Sequence, residues 1–274
     1  MKYCVDFQKG FKYIDNVDEI TITYRRKDTS LIDFLLEHQK QRVNIYIKDE
    51  EDFLQYNCIK MFDAIAKEHS EIDFCFKLQS YSDVTKDVFL AIISSEIKHK
   101  YFFDYFVRDW DSLWGYISLK PSSIYITEEM GFEIKAVAEI LHSFNIEVRC
   151  FPNVAQSSWT KTPGLKKFFI RPEDTIWYEP YVDIYEFFGK PDSLATYYKI
   201  YAIDKKWFGK LNEVILSFDG EVDSRFLLPS FAERRLNCGK RCLKGRGCRI
   251  CDATEQLSAT LEKHNLMFTD FEKN

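Results

Sequence analysis

The run SIYITEEMGFEIKAVAEILHSFNIEVRCF, residues Ser123–Phe151, gives the clearest indication of the fold. Its two ends, Ser123–Thr127 and Ile146–Phe151, are short runs of β-branched and aromatic residues, which predict strands. Between them, four apolar residues recur at helical spacing: Ile134, Val137, Ala138 and Leu141. A strand, an amphipathic helix and a second strand in this order predict two parallel strands joined by a right-handed crossover.

The same alternation extends over the rest of the chain. Strands are predicted at six further runs: Ile20–Tyr24, Val43–Lys48, Ile72–Leu78, Phe103–Val107, Lys167–Ile170 and Val182–Phe187. Further helical stripes begin at Leu31, Ile59 and Leu194. This alternation predicts an α/β fold, a (β/α)8 TIM-like barrel over residues 1–210. An open doubly wound sheet is the alternative, although no G-x-G-x-x-G or phosphate-binding loop supports a nucleotide-binding form of it.

Composition sets broad limits on the class of protein. The chain has 274 residues, of which 46% are hydrophobic and 16% aromatic, and this is enough for a large core. No stretch approaches about 18 consecutive apolar residues, so we expect no transmembrane helix and no membrane partner. The charged first run, MKYCVDFQKGFKYIDNVDE, lacks the apolar segment of a signal peptide, so we expect a cytoplasmic, reducing location.

Four cysteines lie close together in the run CGKRCLKGRGCRIC, with the spacing C-x3-C-x5-C-x2-C. They are Cys238, Cys242, Cys248 and Cys251. Four thiolates in one short loop, with glycines that let the backbone turn tightly, can surround a single metal centre. The spacing therefore predicts a C-terminal Cys4 metal-binding segment, which we place at residues 211–274. Disulfides are the less favoured alternative, because a reducing location keeps thiols free.

The cysteine spacing leaves the identity of the metal open. Structural zinc is the default for four closely spaced cysteines, and a 4Fe-4S cluster also takes four thiolates. The order of the cysteines differs from the contiguous C-x3-C-x2-C of radical-SAM enzymes, and this disfavours that chemistry.

The cysteine run is also basic. The whole chain has a net charge of −5, whereas residues 225–251 carry eight Lys or Arg against one Glu. Such a segment is typical of contact with RNA or DNA phosphates. Four residues are candidates for this contact: Arg241, Lys244, Arg246 and Arg249. The alternative is that these cations only offset the thiolate charge and remain solvated.

The predicted barrel would carry its active site at the carboxyl ends of the strands. These predicted ends are rich in polar side chains, among them Arg25, Lys77, Arg108, Asp109, Glu128, Asn153, Arg171, Glu173 and Glu186. Arg108, Asp109 and Asn153 are the candidates for substrate binding, since a guanidinium can hold a carboxylate or phosphate bidentately.

Three of these side chains are the candidates for catalysis. Glu128 and Glu173 would act as general acid or base if burial raised a pKa, and Arg171 would hold an anionic group. No histidine lies at a predicted strand end, and neither G-x-S-x-G nor H-E-x-x-H occurs, which disfavours serine and zinc hydrolysis.

Two segments carry a family resemblance. SSIYITEEMGFEIKAVAEILHSFNIEVRCFPN (Ser122–Asn153) and RPEDTIWYEPYVDIYEFFGKPDSLATYYKIYAI (Arg171–Ile203) resemble the collagenase-like peptidases, also called the U-32 peptidases. The resemblance implies a barrel, a cysteine-bound iron–sulfur cluster and, for several members, hydroxylation of RNA bases or quinone precursors. The chain departs from the family's His-Gly-Ala-x-Cys loop after the sixth strand, where it reads Pro-Asn-Val-Ala at residues 152–155.

Three functional hypotheses follow from these observations. The first is a metal-binding barrel enzyme that modifies RNA or a small aromatic substrate. The second is a non-catalytic barrel whose zinc knuckle binds nucleic acid or a protein partner, with affinity that falls steeply with salt. The third is an enzyme that cleaves carbohydrate or peptide with the paired carboxylates Glu128 and Glu173.

Overall fold

A computed structural model describes residues 1–7, 11, 13–25, 30–81, 85–126, 128–155, 164–228, 230–238 and 249–265. Within these ranges, nine parallel strands form one sheet: β1 (Lys2–Asp6), β2 (Glu19–Thr23), β3 (Arg42–Ile47), β4 (Phe74–Gln79), β5 (Lys100–Asp104), β6 (Phe106–Val107), β7 (Ser123–Ile126), β8 (Glu147–Cys150) and β9 (Ile184–Phe187). Their spatial order is β5-β4-β3-β2-β1-β9-β8-β7-β6.

The two edges of this sheet belong to one stretch of chain. Only Tyr105 separates β5, which pairs with β4, from β6, which pairs with β7. The backbone N–H of Ser122, just before β7, also donates to the carbonyl oxygen of Tyr101 in β5 at 2.7 Å. The sheet is therefore a nearly closed parallel barrel in which β5 and β6 share one strand position. This confirms the prediction of an α/β, TIM-like barrel and disfavours an open sheet.

Helices surround the strands. In the described ranges these are α1 (Leu31–Glu37), α2 (Glu50–Gln55), α3 (Cys58–Glu68), α4 (Lys86–Ile93), α5 (Trp110–Ser118), α6 (Glu128–Gly131), α7 (Ile134–Ser143), α8 (Thr175–Tyr178), α9 (Pro191–Tyr198), α10 (Phe231–Leu236) and α11 (Ile250–His264). The predicted apolar stripes fall on α1, α3, α7 and α9, and α9 continues as a π-helical segment, Lys199–Asp204. None of the described helices is both long enough and apolar enough to span a membrane.

The hydrophobic core lies between the outer face of the strands and the helices. Because side chains alternate along a strand, Val5, Ile20 and Val43 face outward into one large apolar cluster. Val148 faces a second cluster, together with Val137 of α7. Each fully buried side chain of this size stabilises the fold by about 1.5–3 kcal/mol. The outer layer therefore supplies the apolar packing and leaves the inner face available for polar residues.

One predicted strand is wrong and another strand was overlooked. Lys167–Ile170 is not one of the barrel strands, because its backbone is engaged elsewhere: the Arg235 guanidinium of α10 donates to the carbonyl oxygens of Lys167 and, at 3.2 Å, Phe169. Its apolar side chains instead fill the core beneath this loop. β8 pairs directly with β9, and the strand that completes the barrel is instead β1, which pairs with both β2 and β9.

The chain beyond residue 210 packs against the loop that follows β8. Leu216 forms a parallel bridge with Val154, and its N–H donates to the Asn153 carbonyl oxygen at 2.8 Å. Further along, the Glu255 carboxylate of α11 accepts from the Leu165 N–H at 2.7 Å. This part of the chain therefore lies at the end of the barrel where the strands finish.

Candidate active site

The inner face of the barrel holds a buried network of charges. Arg149 on β8 is fully buried, and its Nη2 donates to Glu19 Oε2 at 2.6 Å while its Nη1 donates to Glu186 Oε2 at 3.0 Å. Its guanidinium lies 4.4 Å from the ring centre of Phe102. Glu19 also accepts from Arg42 at 3.0 Å. Because a buried charge is tolerated only when it is paired and hydrogen-bonded, this network holds Glu186 ionised and in one orientation.

Lys77 on β4 lies above this network. Its Nζ is 3.0 Å from Glu186 Oε1 and 3.5 Å from Asp104 Oδ1, and it faces the rings of Tyr46 and Tyr125 at 5.6 and 5.3 Å from their centres. Burial disfavours the ammonium, but Glu186, Tyr125 and Asp104 together outweigh burial and raise the pKa of Lys77. Lys77 is therefore a fixed cation and is poorly suited to act as a nucleophile.

Glu186 is correspondingly a fixed anion. Its Oε2 accepts from the Tyr125 hydroxyl at 2.6 Å in addition to Arg149. Burial acts to raise the pKa of Glu186, but Lys77, Arg149 and the Tyr125 hydroxyl outweigh burial and lower it to about 2. The carboxylate stays ionised at any pH at which the protein is expected to work.

Asp6, the last residue of β1, has the opposite environment. Its carboxylate makes no hydrogen bond or ion pair with any residue that the structure describes, and the residue is exposed to the open cavity that it lines. The protein atoms around the cavity, which keep part of the water away from Asp6, and then repulsion from Glu186 raise the pKa of Asp6 from 3.8 to about 6, although Lys77 and the exposed position of Asp6 oppose this. A carboxyl group with this pKa can both accept and donate a proton near neutral pH.

The cavity lies at the carboxyl ends of the strands and has a volume of about 800 Å³. Eight of its lining residues are aromatic: Phe7, Tyr24, Phe34, Tyr46, Phe106, Phe151, Phe187 and Phe188. Its charged lining residues are Asp6, Arg25, Lys77, Asp104, Arg108 and Glu186. A large concave site with apolar walls, a few convergent polar groups and a shifted pKa has the properties of a small-molecule site.

The predicted substrate-binding residues lie in three different settings. Arg108 lines the cavity. The Asp109 carboxylate caps α5, where it accepts from the Ser112 N–H at 2.7 Å in a capping box. Asn153 is buried and bridges two loops, since its amide group exchanges hydrogen bonds with the backbone of Phe188 at 2.7 and 3.2 Å. The structure therefore brings Arg108 to the cavity, while Asp109 and Asn153 have structural partners.

The predicted catalytic residues Arg171 and Glu173 pair with each other and do not line the cavity. Arg171 is buried and forms a two-point ion pair with Asp174, at 2.6 and 2.7 Å. Glu173 is hydrogen-bonded to the Ser224 hydroxyl, and burial raises its pKa. Glu128 begins α6, and its side chain lies outside what the structure describes.

The predicted Cys4 site lies only partly within the described residues. Cys238 follows α10 and packs against one core cluster, and Cys251, in the first turn of α11, is buried in the other. Cys242, Cys248 and the basic residues Arg241, Lys244 and Arg246 lie outside the described ranges. Arg249 is exposed and precedes α11. The described part of the chain contains no group of three or more His, Cys, Asp or Glu that could hold a metal, so the Cys4 site stays a prediction.

Two carboxylates of the cavity were missed from the sequence. Asp6 was missed because β1 was not identified, although the alternation of Lys2, Cys4 and Asp6 with Tyr3 and Val5 is the signal that could have revealed it. Asp104 was missed because the predicted strand Phe103–Val107 continued past it. In the structure the break at Tyr105 makes Asp104 the last residue of β5.

Comparisons with known proteins give no family for this chain. No protein-family model matches it, and a search of the curated proteins finds no match either. Its function therefore has to be argued from the geometry of the barrel mouth.

Proposed function

We propose that the protein is an enzyme that binds a small aromatic substrate in the mouth of the barrel, with Asp6 as the proton-transferring residue. The observation that carries the proposal is a carboxyl group, without a partner among the described residues and with its pKa raised to about 6, which faces a cavity walled by aromatic rings. A residue that only stabilised the barrel would be expected to have a partner, as Glu186 has.

The aromatic walls favour a flat apolar substrate. The Phe151 and Tyr125 rings are stacked at 5.2 Å and 9°, and Phe188 meets Phe151 edge-on at 6.1 Å. Phe188 lines the cavity and is 57% exposed, so its ring is accessible to a ligand there. Aromatic pairs contribute about 0.5–1.5 kcal/mol beyond the burial of their area, so a planar ring bound here gains from both effects.

The charged residues divide between two roles in this proposal. Lys77 and Glu186 neutralise each other, and their buried partners hold them in place, so they provide a fixed field at the floor of the cavity. Asp6 is the mobile acid–base group: as a carboxylate it removes a proton from the substrate, and once protonated it returns one. This division matches the rule that paired carboxyl groups with separated pKa values have different roles.

Ligand binding tests the proposal directly. We would titrate wild-type protein with phenol, indole, adenine, benzoate, naphthoate and phenyl phosphate, following binding by ligand-observed NMR and thermal shift. Phe151→Ala should weaken binding of the compounds that bind wild-type protein by about tenfold or more, because it removes one aromatic wall. Phe144→Ala is the matched control, because Phe144 is 52% exposed, packs on Trp114 and does not line the cavity.

Two results would contradict the proposal. One is that none of the compounds binds. The other is that Phe151→Ala and Phe144→Ala have the same effect on binding. Once a converted compound is found, Asp6→Asn should remove turnover while leaving its binding within about threefold, since Asn is similar in shape but cannot transfer a proton.

We further propose that the four clustered cysteines hold one metal centre, either zinc or a 4Fe-4S cluster. The support is their spacing and the cations among them, which favour the thiolate form. Metal analysis and an ultraviolet–visible spectrum of anaerobically purified protein test this, with Cys248→Ser as the variant that should lose the metal. Iron with sulfide would favour modification chemistry on the aromatic substrate or on RNA, whereas zinc alone would favour a knuckle that binds nucleic acid or a protein. Protein without stoichiometric metal would contradict the site.

A further inference from the structure

We infer that Arg25 and Arg108 form an oxyanion-binding subsite at the rim of the cavity, so that the aromatic substrate carries a carboxylate or phosphate group. This inference rests on the function proposed above. It adds the charge of the substrate and the direction in which it lies.

These two arginines make no ion pair with any residue that the structure describes. Four other arginines of the described chain are each ion-paired with a carboxylate: Arg42, Arg149, Arg171 and Arg225. Arg25 and Arg108 make no ion pair or hydrogen bond with any described side chain, and, unlike the similarly unpaired Arg234 and Arg249, both line the cavity. Asp109, which follows Arg108 in sequence, caps the N-terminus of α5 and makes no ion pair with Arg108, although the two charges attract each other.

The floor of the cavity cannot receive an anion. Lys77 is the cation of the floor, and both Glu186 and Asp104 already lie against its Nζ. A further carboxylate or phosphate placed there would face Asp6, Asp104 and Glu186 together. The guanidinium groups at the rim are therefore the cations of the cavity that are available to an anionic ligand.

The charges that line the cavity are separated by depth. Among the charged lining residues, three carboxyl groups and Lys77 lie at or near the floor, whereas Arg25 follows the end of β2 and Arg108 follows the end of β6. The rim is positive and the floor is acidic. A substrate with one anionic substituent would bind with that substituent outward and with the opposite edge of its ring toward Asp6, which is the orientation that proton transfer requires.

Matched ligands separate the charge of the substrate from its ring. We would measure the dissociation constants of benzoate, phenyl phosphate and benzamide, and of naphthoate, naphthyl phosphate and naphthamide. Wild-type protein should bind at least one anionic form about tenfold more tightly than the amide, because a charge-assisted hydrogen bond to a guanidinium is stronger than one between neutral groups. The tighter of the carboxylate and the phosphate identifies the natural anionic group, and its affinity should fall as salt is raised.

Arginine variants complete the test. Arg25→Gln and Arg108→Gln should each weaken binding of the anionic form by about tenfold and change binding of the amide by less than about twofold. Arg234→Gln is the control, since Arg234 is an exposed arginine of α10 that does not line the cavity.

The outcomes also separate this inference from the proposed function. If the amides bind as tightly as the anions, or if the Gln variants weaken both forms equally, the oxyanion subsite is wrong while the aromatic site stands. If none of the six compounds binds wild-type protein, the subsite is wrong, and the aromatic site falls with it when phenol, indole and adenine do not bind either.

Discussion

Asp6 and Glu186 are carboxyl groups that line the same cavity, yet their surroundings shift their pKa values in opposite directions. Glu186 has three partners, Lys77, Arg149 and the Tyr125 hydroxyl, that favour its ionised form. The Asp6 carboxylate has no such partner in the described part of the chain, and its partial removal from water together with repulsion from Glu186 favours its protonated form. The difference between a fixed charge and a proton carrier is therefore a difference in hydrogen-bond partners, since both groups are carboxyl groups at strand ends.

Replacement of Asp6 should stabilise the protein near neutral pH. The pKa of Asp6 lies at about 6 in the folded state, above the ordinary value of 3.8, so the folded protein holds a proton that the unfolded chain releases. The free energy of unfolding therefore falls as pH rises from 3.8 to about 6. Asp6→Asn removes the unfavourable ionisation, so its melting temperature relative to wild type should increase between pH 4 and pH 7.

The control for this experiment is Asp87→Asn, which replaces an exposed aspartate in the first turn of α4. Its effect on melting temperature should not rise over the same range of pH. A constant loss of stability for Asp6→Asn at every pH would show that Asp6 has a stabilising partner, and it would remove the basis for its role as proton carrier.

The Lys77–Glu186 pair should behave as a coupled unit. Glu186→Gln leaves Lys77 and Arg149 buried with less compensation and should reduce the free energy of unfolding by about 3–5 kcal/mol. Lys77→Met alone should cost less, because Arg149 and Tyr125 still satisfy Glu186. The double variant should be more stable than the sum of the two losses predicts, and urea unfolding of all four proteins measures this coupling.

Acid provides an independent check on the same pair. The pKa of Glu186 is depressed from 4.5 to about 2, so its contribution is present above pH 4.5 and is lost as pH falls toward 2. Glu186→Gln should lack this part of the acid dependence. Additive losses in urea, together with an unchanged acid transition, would contradict the coupling.

Among the elements of the fold, the strands that follow the usual apolar pattern could be predicted, whereas β1 could not. Ile20–Tyr24 and Val43–Lys48 have enough β-branched residues to be identified even though their inner faces are polar. β1 has only Tyr3 and Val5 on its outer face, because its inner residues belong to the polar interior of the barrel. The apolar run Lys167–Ile170 is the converse, a buried loop with the composition of a strand.

The site residues could be predicted only where the strand before them was identified. Arg25, Lys77, Arg108 and Glu186 belong to strands, or follow strands, that the sequence identifies, so they could be placed at the mouth in advance. Arg171 and Asp109 could not be separated from them, because a buried ion pair and a helix cap use the same residue types as a binding site. What separates Arg171 and Asp109 from the cavity residues is the partner that each finds in the folded chain: Asp174 for Arg171 and the Ser112 N–H for Asp109.

At the level of one helix, Asp109 should contribute to stability and not to binding. Its carboxylate caps α5 by accepting a hydrogen bond from the Ser112 N–H. This hydrogen bond is the largest of the causes that lower the pKa of Asp109. Asp109→Ala should reduce the free energy of unfolding by about 1 kcal/mol at pH 7, while Asp109→Asn should keep most of the cap. The loss should shrink as pH falls below about 3.8, the ordinary pKa of an aspartate, because protonation weakens the cap.

Chemical denaturation at two pH values and a titration with the tightest aromatic compound measure both properties of Asp109. If Asp109→Ala weakened binding of that compound and left stability unchanged, Asp109 would be a substrate-binding residue as the sequence analysis predicted.

For the whole molecule, the barrel and the chain beyond residue 210 share one hydrophobic core. Val214, Ile215, Phe218 and Phe231 belong to the same buried cluster as Val5 of β1. Phe231 also stacks on Phe169 at 6.5 Å, in the loop that follows β8. A C-terminal segment in this position covers the loops at the mouth of the barrel, so it shapes the candidate site even though none of its described residues lines the cavity.

A chain of residues 1–210 should therefore fail to fold cooperatively, because removal of the later residues exposes the apolar side chains that they cover. Near-ultraviolet circular dichroism and urea unfolding test this, and point variants of the full chain give the same answer without truncation. Phe231→Ala should cost about 3–5 kcal/mol, since it removes a buried ring, whereas Phe208→Ala, at a side chain that is 65% exposed, should change stability by less than about 0.5 kcal/mol. A 1–210 chain as stable as the full protein would mean that the barrel is an independent domain, as the sequence boundary at residue 210 implied. It would also mean that the C-terminal segment is an appendage whose metal could be removed without effect on the cavity.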